Sequence, residues 1–161
     1  MQITLNIPHR PDLSRLFTVH DPAQDLHVSR QLAEKGYWEL YETQLILARL
    51  EPGQVFIDVG ANVGYYAVLA AQQVGSEGQV VAFEPAPENF ALLEKNCTGL
   101  DQVRCVQAAL AAEDGSGQVP YASLEITATA AELGRCGPRL QGNGRHQGRN
   151  SCNSPLPRRL F

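Results

Sequence analysis

The chain has 161 residues, 43% hydrophobic and 19% charged, with a formal net charge of −4. That length suits one domain with a real core, and the composition excludes collagen, coiled coil and wholesale disorder. The acidic balance argues against a general basic surface for nucleic acid. The charge is unevenly spread, however: residues 1–118 hold 15 acids and 7 bases, and residues 119–161 hold 2 and 6.

Residues 2–7 alternate, with Ile3, Leu5 and Ile7 pointing one way, and read as a short strand ended by Pro8 and Pro11. Leu16 to Val19 is its expected partner, and Val28 to Lys35 a short helix stopped by Gly36. Between Trp38 and Leu50 the positions Trp38, Tyr41, Leu45 and Ala48 recur at helical spacing, with Pro52-Gly53 as the stop. The pattern then changes to strand 54–59, glycine turn 60–64, helix 65–74, strand 79–83, helix 87–97 and strand 103–110. That alternation predicts right-handed βαβ crossovers and a parallel sheet. The continuously apolar Val80-Val81-Ala82-Phe83 fits burial on both faces. Beyond it, 118–123 reads as one more strand and 124–133 as helical in composition. Residues 134–161 hold six apolar side chains in 28 positions and no acid, so they are expected to be disordered. With no later strand to cover it, the third strand is expected to present an exposed apolar edge.

No run approaches the ~20 apolar residues of a membrane span. Met1 to Arg10 lacks the basic-then-apolar order of a secretory signal, so the expected location is cytoplasmic, away from membranes. Cys97, Cys105, Cys136 and Cys152 lack the spacing of a zinc or redox motif and read as reduced thiols, with no metal site.

The chemistry is expected in Val55 to Gly64, a buried strand ending in a carboxylate and running into a G-x-N-x-G turn that opens a helix. Glycines there let a ligand approach the backbone, and the helix N-terminus offers N–H groups. A tight turn with no ligand is the bland alternative. Against it stands Glu84, which ends the second strand 26 residues after Asp58, where an acid in such folds bonds a ribose diol. Asp58 decides the kind of ligand. At 4 Å and an effective dielectric near 20, a carboxylate beside a pyrophosphate is unfavourable by about 4 kcal/mol. S-adenosylmethionine carries an ammonium and a sulfonium at this level, which reverses the sign. The turn also lacks the third glycine of a dinucleotide fingerprint, so charge favours S-adenosylmethionine over NAD.

The runs G-Y-W-E-L-Y-E (36–42), P-G-Q-V-F-I-D-V-G-A-N-V-G-Y-Y (52–66), V-V-A-F-E-P-A-P-E-N-F-A-L-L-E-K-N (80–96) and V-Q-A-A-L-A-A-E-D-G-S-G (106–117) resemble the FkbM-type S-adenosylmethionine-dependent methyltransferases. The resemblance covers residues 25–121. It implies a Rossmann-like class I methyltransferase fold, α/β with a parallel sheet and flanking helices, and O-methylation of a sugar or secondary-metabolite hydroxyl. Asp58, Gly60, Asn62 and Gly64 would then line the methionine end of S-adenosylmethionine, and Glu84 would hold the ribose hydroxyls. Glu42 either leans over the site or lies on a solvated helix face. Ala108 and Ala109 either flank the adenine or simply pack. Asn89 is read as supporting the second helix, Tyr65 and Tyr66 as core, and His9, His20 and His27 as structural. No residue is assigned as catalytic base.

The family continues into a fourth strand with an I-K-I-D-x-E-G-like motif, which nothing after Tyr121 resembles. The expected organisation is a leader over 1–50, a cofactor-binding βαβαβ half-domain over 51–121, truncated after its third core strand, and an atypical tail over 122–161. The partner is a small-molecule methyl acceptor, with no nucleic acid. The alternatives are an inactive fragment, from a reading-frame change or a gene fragment, that at most binds cofactor, and an NAD-dependent oxidoreductase.

Overall fold

A computed structural model describes residues 1–110 in full and the backbone of 115–119 and 124–128. Strands β1 (Gln2–Thr4) and β2 (Leu16–Thr18) pair antiparallel, as the alternation predicts, with Leu5, Ile7 and Phe17 buried beside them. Helix α1 (Val28–Lys35) ends where expected, at Gly36 with φ 79°.

Helix α2 (Leu40–Arg49) forms, but its expected stripe is not the inner one. Tyr41, Leu45 and Ala48 are exposed, and the face turned inward carries Thr43 and Leu47. A polar residue wins an inner position because it has partners there. The Thr43 hydroxyl donates to the Trp38 carbonyl at 2.8 Å and meets the Tyr65 hydroxyl at 3.1 Å.

The centre is the predicted alternation: β3 (Val55–Val59), α3 (Tyr65–Val74), β4 (Gln79–Phe83), α4 (Pro87–Asn96) and β5 (Val103–Val106). The three strands form one parallel sheet in the order β3-β4-β5, with Asp58 opposite Ala82 and Val59 opposite Phe83. This is the Rossmann-like α/β arrangement, with the strands' carboxyl ends on one side. Helix α3 is apolar nearly all round and buried from Ala67 to Ala71, packing on β3 and β4.

The opposite sheet face holds a small cluster of Val81, Phe83, Val106 and Ala108. On the same face of β3, Val55, Ile57 and Val59 are 61%, 48% and 60% exposed. The open apolar surface therefore falls on the first strand of the sheet and not on the third. Val103 and Cys105 of β5 pack into the main core, and Val106 is buried in the smaller cluster.

Strands β6 (Gly115–Val119) and β7 (Leu124–Ala128) pair antiparallel in their own two-stranded sheet. The helical reading of 124–133 is thereby corrected over 124–128, where β-branched Ile126 and Thr127 favour a strand once a partner strand exists. The tail expected to be disordered, from 134 onward, lies outside the described residues. Among those described, no helix is long and apolar enough to cross a membrane.

One side chain ties the N-terminal hairpin to the central unit. Buried Asn96, the last residue of α4, accepts the Thr18 backbone N–H at 2.7 Å and donates to the carbonyls of Thr18 and Val63, both at 2.8 Å. Asn96→Leu, close in size, leaves three buried backbone groups unpaired, each worth about 1–3 kcal/mol. Urea unfolding is expected to show a loss of at least about 3 kcal/mol. A loss below about 1 kcal/mol would mean that the bracket contributes little.

Candidate cofactor site at the glycine turn

The turn between β3 and α3 takes the left-handed conformation at every second residue: Gly60 at φ 78°, Asn62 at 52° and Gly64 at 88°. At Gly64 a side chain would be strained by the backbone conformation and would also have to displace Leu93, whose Cδ1 lies 2.7 Å from where a Cβ would stand. The turn is therefore pressed onto α4. Its other anchor is the end of β4, where the Phe83 carbonyl accepts both the Gly60 and Ala61 N–H groups at 2.9 Å.

Four amides of the turn are already used within the chain. Besides those of Gly60 and Ala61, Asn62 N–H donates to Glu84 Oε2 at 2.8 Å and Gly64 N–H to the Ala61 carbonyl at 2.8 Å. The turn also holds two buried acceptors with open bonding capacity. Asp58 is buried, and the Ala67 amide in the first turn of α3 favours its charged form, yet its Oδ2 has no partner. Asn62 Oδ1 is likewise buried without one. Unpartnered buried acceptors are unfavourable unless a donor arrives.

Asp58 and Glu84, at the carboxyl ends of adjacent strands, are close enough to feel each other's charge. Burial first, and Glu84 second, push the Asp58 carboxyl up to about 6, against the pull of the Ala67 amide. Both causes favour a cation beside it. Glu84 is buried too: Oε1 accepts Ala86 N–H at 2.9 Å and Asn89 Nδ2 at 3.4 Å, and Oε2 accepts Asn62 N–H. Asn89 Oδ1 in turn meets His20 Nε2 at 2.8 Å.

The five residues singled out in the sequence thus stand together around one turn. Of the others, Glu42 is exposed on α2, while Ala108 is buried against Val81, Phe83 and Val106. Tyr65 is core, edge-on to Phe17, and the Tyr66 hydroxyl donates to Glu39 at 2.8 Å. Two side chains read from the sequence as structural, Asn89 and His20, stand beside Glu84, the second by way of the first. Asn89 carried a signal, lying five residues after Glu84 in the first turn of the next helix. His20 carried none, being 69 residues from Asn89.

A glycine turn at the strand ends and an acid after the second strand define the class of Rossmann-like nucleotide-binding folds. A family model described as "Methyltransferase FkbM domain" matches residues 58–148, more than half of the chain, and the chain belongs to that family. The match begins at Asp58 and runs past Tyr121, where the recognised motifs end. Protein-L-isoaspartate O-methyltransferase 1 of Arabidopsis thaliana is 31% identical over 97 residues, 56% of this chain and 42% of that protein. The 31-O-demethyl-FK506 methyltransferase FkbM of Streptomyces tacrolimicus is 39% identical over 74 residues, 44% of this chain and 28% of that one. The chain thus spans less than half the length of either relative. A SAM-dependent O-methyltransferase structure from Thermotoga maritima is 28% identical, with a TM-score of 0.40, over 44% of this chain and 29% of that one.

The Asp58 shift has a signed consequence for stability. Its folded value, about 6, lies above the ordinary 3.8, so the native state holds a proton that the unfolded chain has released. Stability therefore falls as pH rises from about 4 to about 6, by about 3 kcal/mol from this group. Asp58→Asn removes the titration. In urea unfolding at pH 4 and pH 7, the wild-type chain is expected to lose about 3 kcal/mol more than the variant between the two. Equal losses would contradict the burial of a charged Asp58.

Proposed function

We propose that the chain binds S-adenosylmethionine at the glycine turn and serves methyl transfer to a hydroxyl of a sugar or secondary metabolite. The observation that carries this reading is the pair of buried, unpartnered acceptors, Asp58 Oδ2 and Asn62 Oδ1, beside Glu84. Acceptors call for a donor, and buried negative charge calls for a cation. An ammonium satisfies both, and a pyrophosphate neither, which disfavours the oxidoreductase reading.

S-adenosylmethionine, when bound, supplies an electrophilic methyl group on a positively charged sulfur. The chain's own residues bind and orient. Asp58 and Asn62 take the ammonium, Gly60, with open space where a side chain would stand, lets the ligand lie against the backbone, Gly64 seats the turn on α4, and Glu84 takes a ribose hydroxyl. Transfer then depends on holding the acceptor oxygen in line, with a base optional. A small-molecule acceptor rests on the FkbM family match. Among other relatives, one is named for ribosomal RNA and several for protein isoaspartate.

The second reading, a module that binds cofactor without transferring methyl groups, is favoured by the open face of Val55, Ile57 and Val59. Methyl release from labelled S-adenosylmethionine to sugar and macrolide acceptors separates the two.

Calorimetry on the full chain tests the site itself. S-adenosylhomocysteine is expected to bind, and NAD not. Asp58→Ala and Glu84→Ala should each weaken binding by about tenfold to two-hundredfold, the loss of a hydrogen bond to a charged group. Because the ammonium prefers the ionised carboxylate, affinity in the wild-type chain should rise as pH passes upward through about 6. Unchanged affinity in both variants would overturn the assignment.

A further inference from the structure

We infer that Asn89 and His20 are positioning residues that hold the Glu84 carboxylate in register for the ribose; the inference rests on the reading of Glu84 given above. A carboxylate has about four acceptor positions, two on each oxygen. Ala86 N–H and Asn89 Nδ2 take those of Oε1, and Asn62 N–H takes one on Oε2. The position left open is on Oε2, the oxygen already bound to the glycine turn. Asn89 thus occupies the side of the carboxylate away from the turn and leaves the turn side free.

The orientation of the Asn89 amide follows from what its neighbours can do. An ionised carboxylate only accepts, so the amide must present its NH2 to Glu84. Its oxygen then faces His20, whose Nε2 must carry the hydrogen it donates across 2.8 Å. With the ring removed, that oxygen is free to turn toward Glu84, and the contact becomes repulsive. The contact to Glu84 is the long one, at 3.4 Å, and the contact to His20 the short one. Asn89 is therefore held chiefly by His20, and its own hold on Glu84 sets direction more than energy.

His20 is itself fixed. Its backbone N–H donates to Ser29 Oγ at 3.2 Å, and Ser29 is fully buried in the first turn of α1. Asp25 binds that turn in turn, accepting Ser29 N–H at 2.8 Å. The N-terminal segment thereby reaches the Glu84 carboxylate through a run of hydrogen bonds, besides its link to the turn through Asn96. A purely helix-supporting Asn89 would not need an imidazole donor on its far side.

The test compares two ligands on the full chain by calorimetry: S-adenosylhomocysteine and its 2′,3′-dideoxy counterpart, which lacks the hydroxyls Glu84 would bind. Asn89→Leu is expected to weaken the first by about tenfold and to change the second by less than about twofold. His20→Phe should weaken the first by about threefold, and His20→Gln, which keeps an N–H donor, should restore it. If Asn89→Leu does not fold, the two His20 variants carry the same comparison. Equal losses for both ligands, or no loss in either set, would overturn the positioning role and leave the cofactor assignment standing. A wild-type chain that binds the two ligands equally well would overturn the role of Glu84, and this inference with it.

Discussion

Three hydrogen bonds on the side-chain amide of Asn96 join segments that are 78 and 33 residues away in sequence. They link the edge of the N-terminal hairpin, the glycine turn and the end of α4, all in buried surroundings. Leu93 presses the turn from the same helix, in the space that the missing side chain of Gly64 leaves. Everything proposed for the site depends on this clamp. The turn can hold left-handed backbone at three alternate positions because its surroundings leave it no other place to go.

The clamp secures an arrangement that is locally unfavourable. Asp58 is buried without a cation, beside a second buried acid, and Asn62 keeps its carbonyl oxygen unpaired. Glu39, another residue with positive φ, accepts from Tyr66 at the start of α2. In a sequence selected for stability alone, such features would be replaced one by one. Those of Asp58 and Asn62 stand together where β3 passes into α3, which is what a binding site looks like before its ligand is considered. The sign of the unmet demand, acceptors and negative charge, also sorts the ligand class, which a glycine turn by itself does not.

Among the described residues, neighbouring apolar side chains are left open on the outer face of β3 and on the Tyr41–Leu45 side of α2, besides Met1, Leu16, Leu26 and Leu110 elsewhere. The first two arise because a face is chosen by what packs against it. Helix α3 lies on one side of the sheet only, so β3 buries Asp58 on that side and exposes Val55, Ile57 and Val59 on the other. Helix α2 turns Thr43 inward because Tyr65 and the Trp38 carbonyl satisfy its hydroxyl, and the more hydrophobic stripe turns out.

The sequence by itself determined the order of elements, the three parallel strands, the glycine turn and the juxtaposition of Asp58 with Glu84. These rest on local rules. Strand and helix periods differ, glycine alone suits repeated positive φ, and a βαβ crossover brings successive strand ends to one side. Tertiary structure decided which stripe of α2 faces in, which strand keeps an open face, and that the amides of Gly60, Ala61, Asn62 and Gly64 are used internally. It also brought in Asn96, Asn89 and His20, whose most distant partners lie 78 and 69 residues away. Hydrogen bonds at that separation leave no periodic trace in a chain, because each depends on where two distant segments come to rest. Leu124 to Ala128 followed the same logic: composition suggested a helix, and pairing with Gly115–Val119 made a strand, since a strand is completed only by its neighbour.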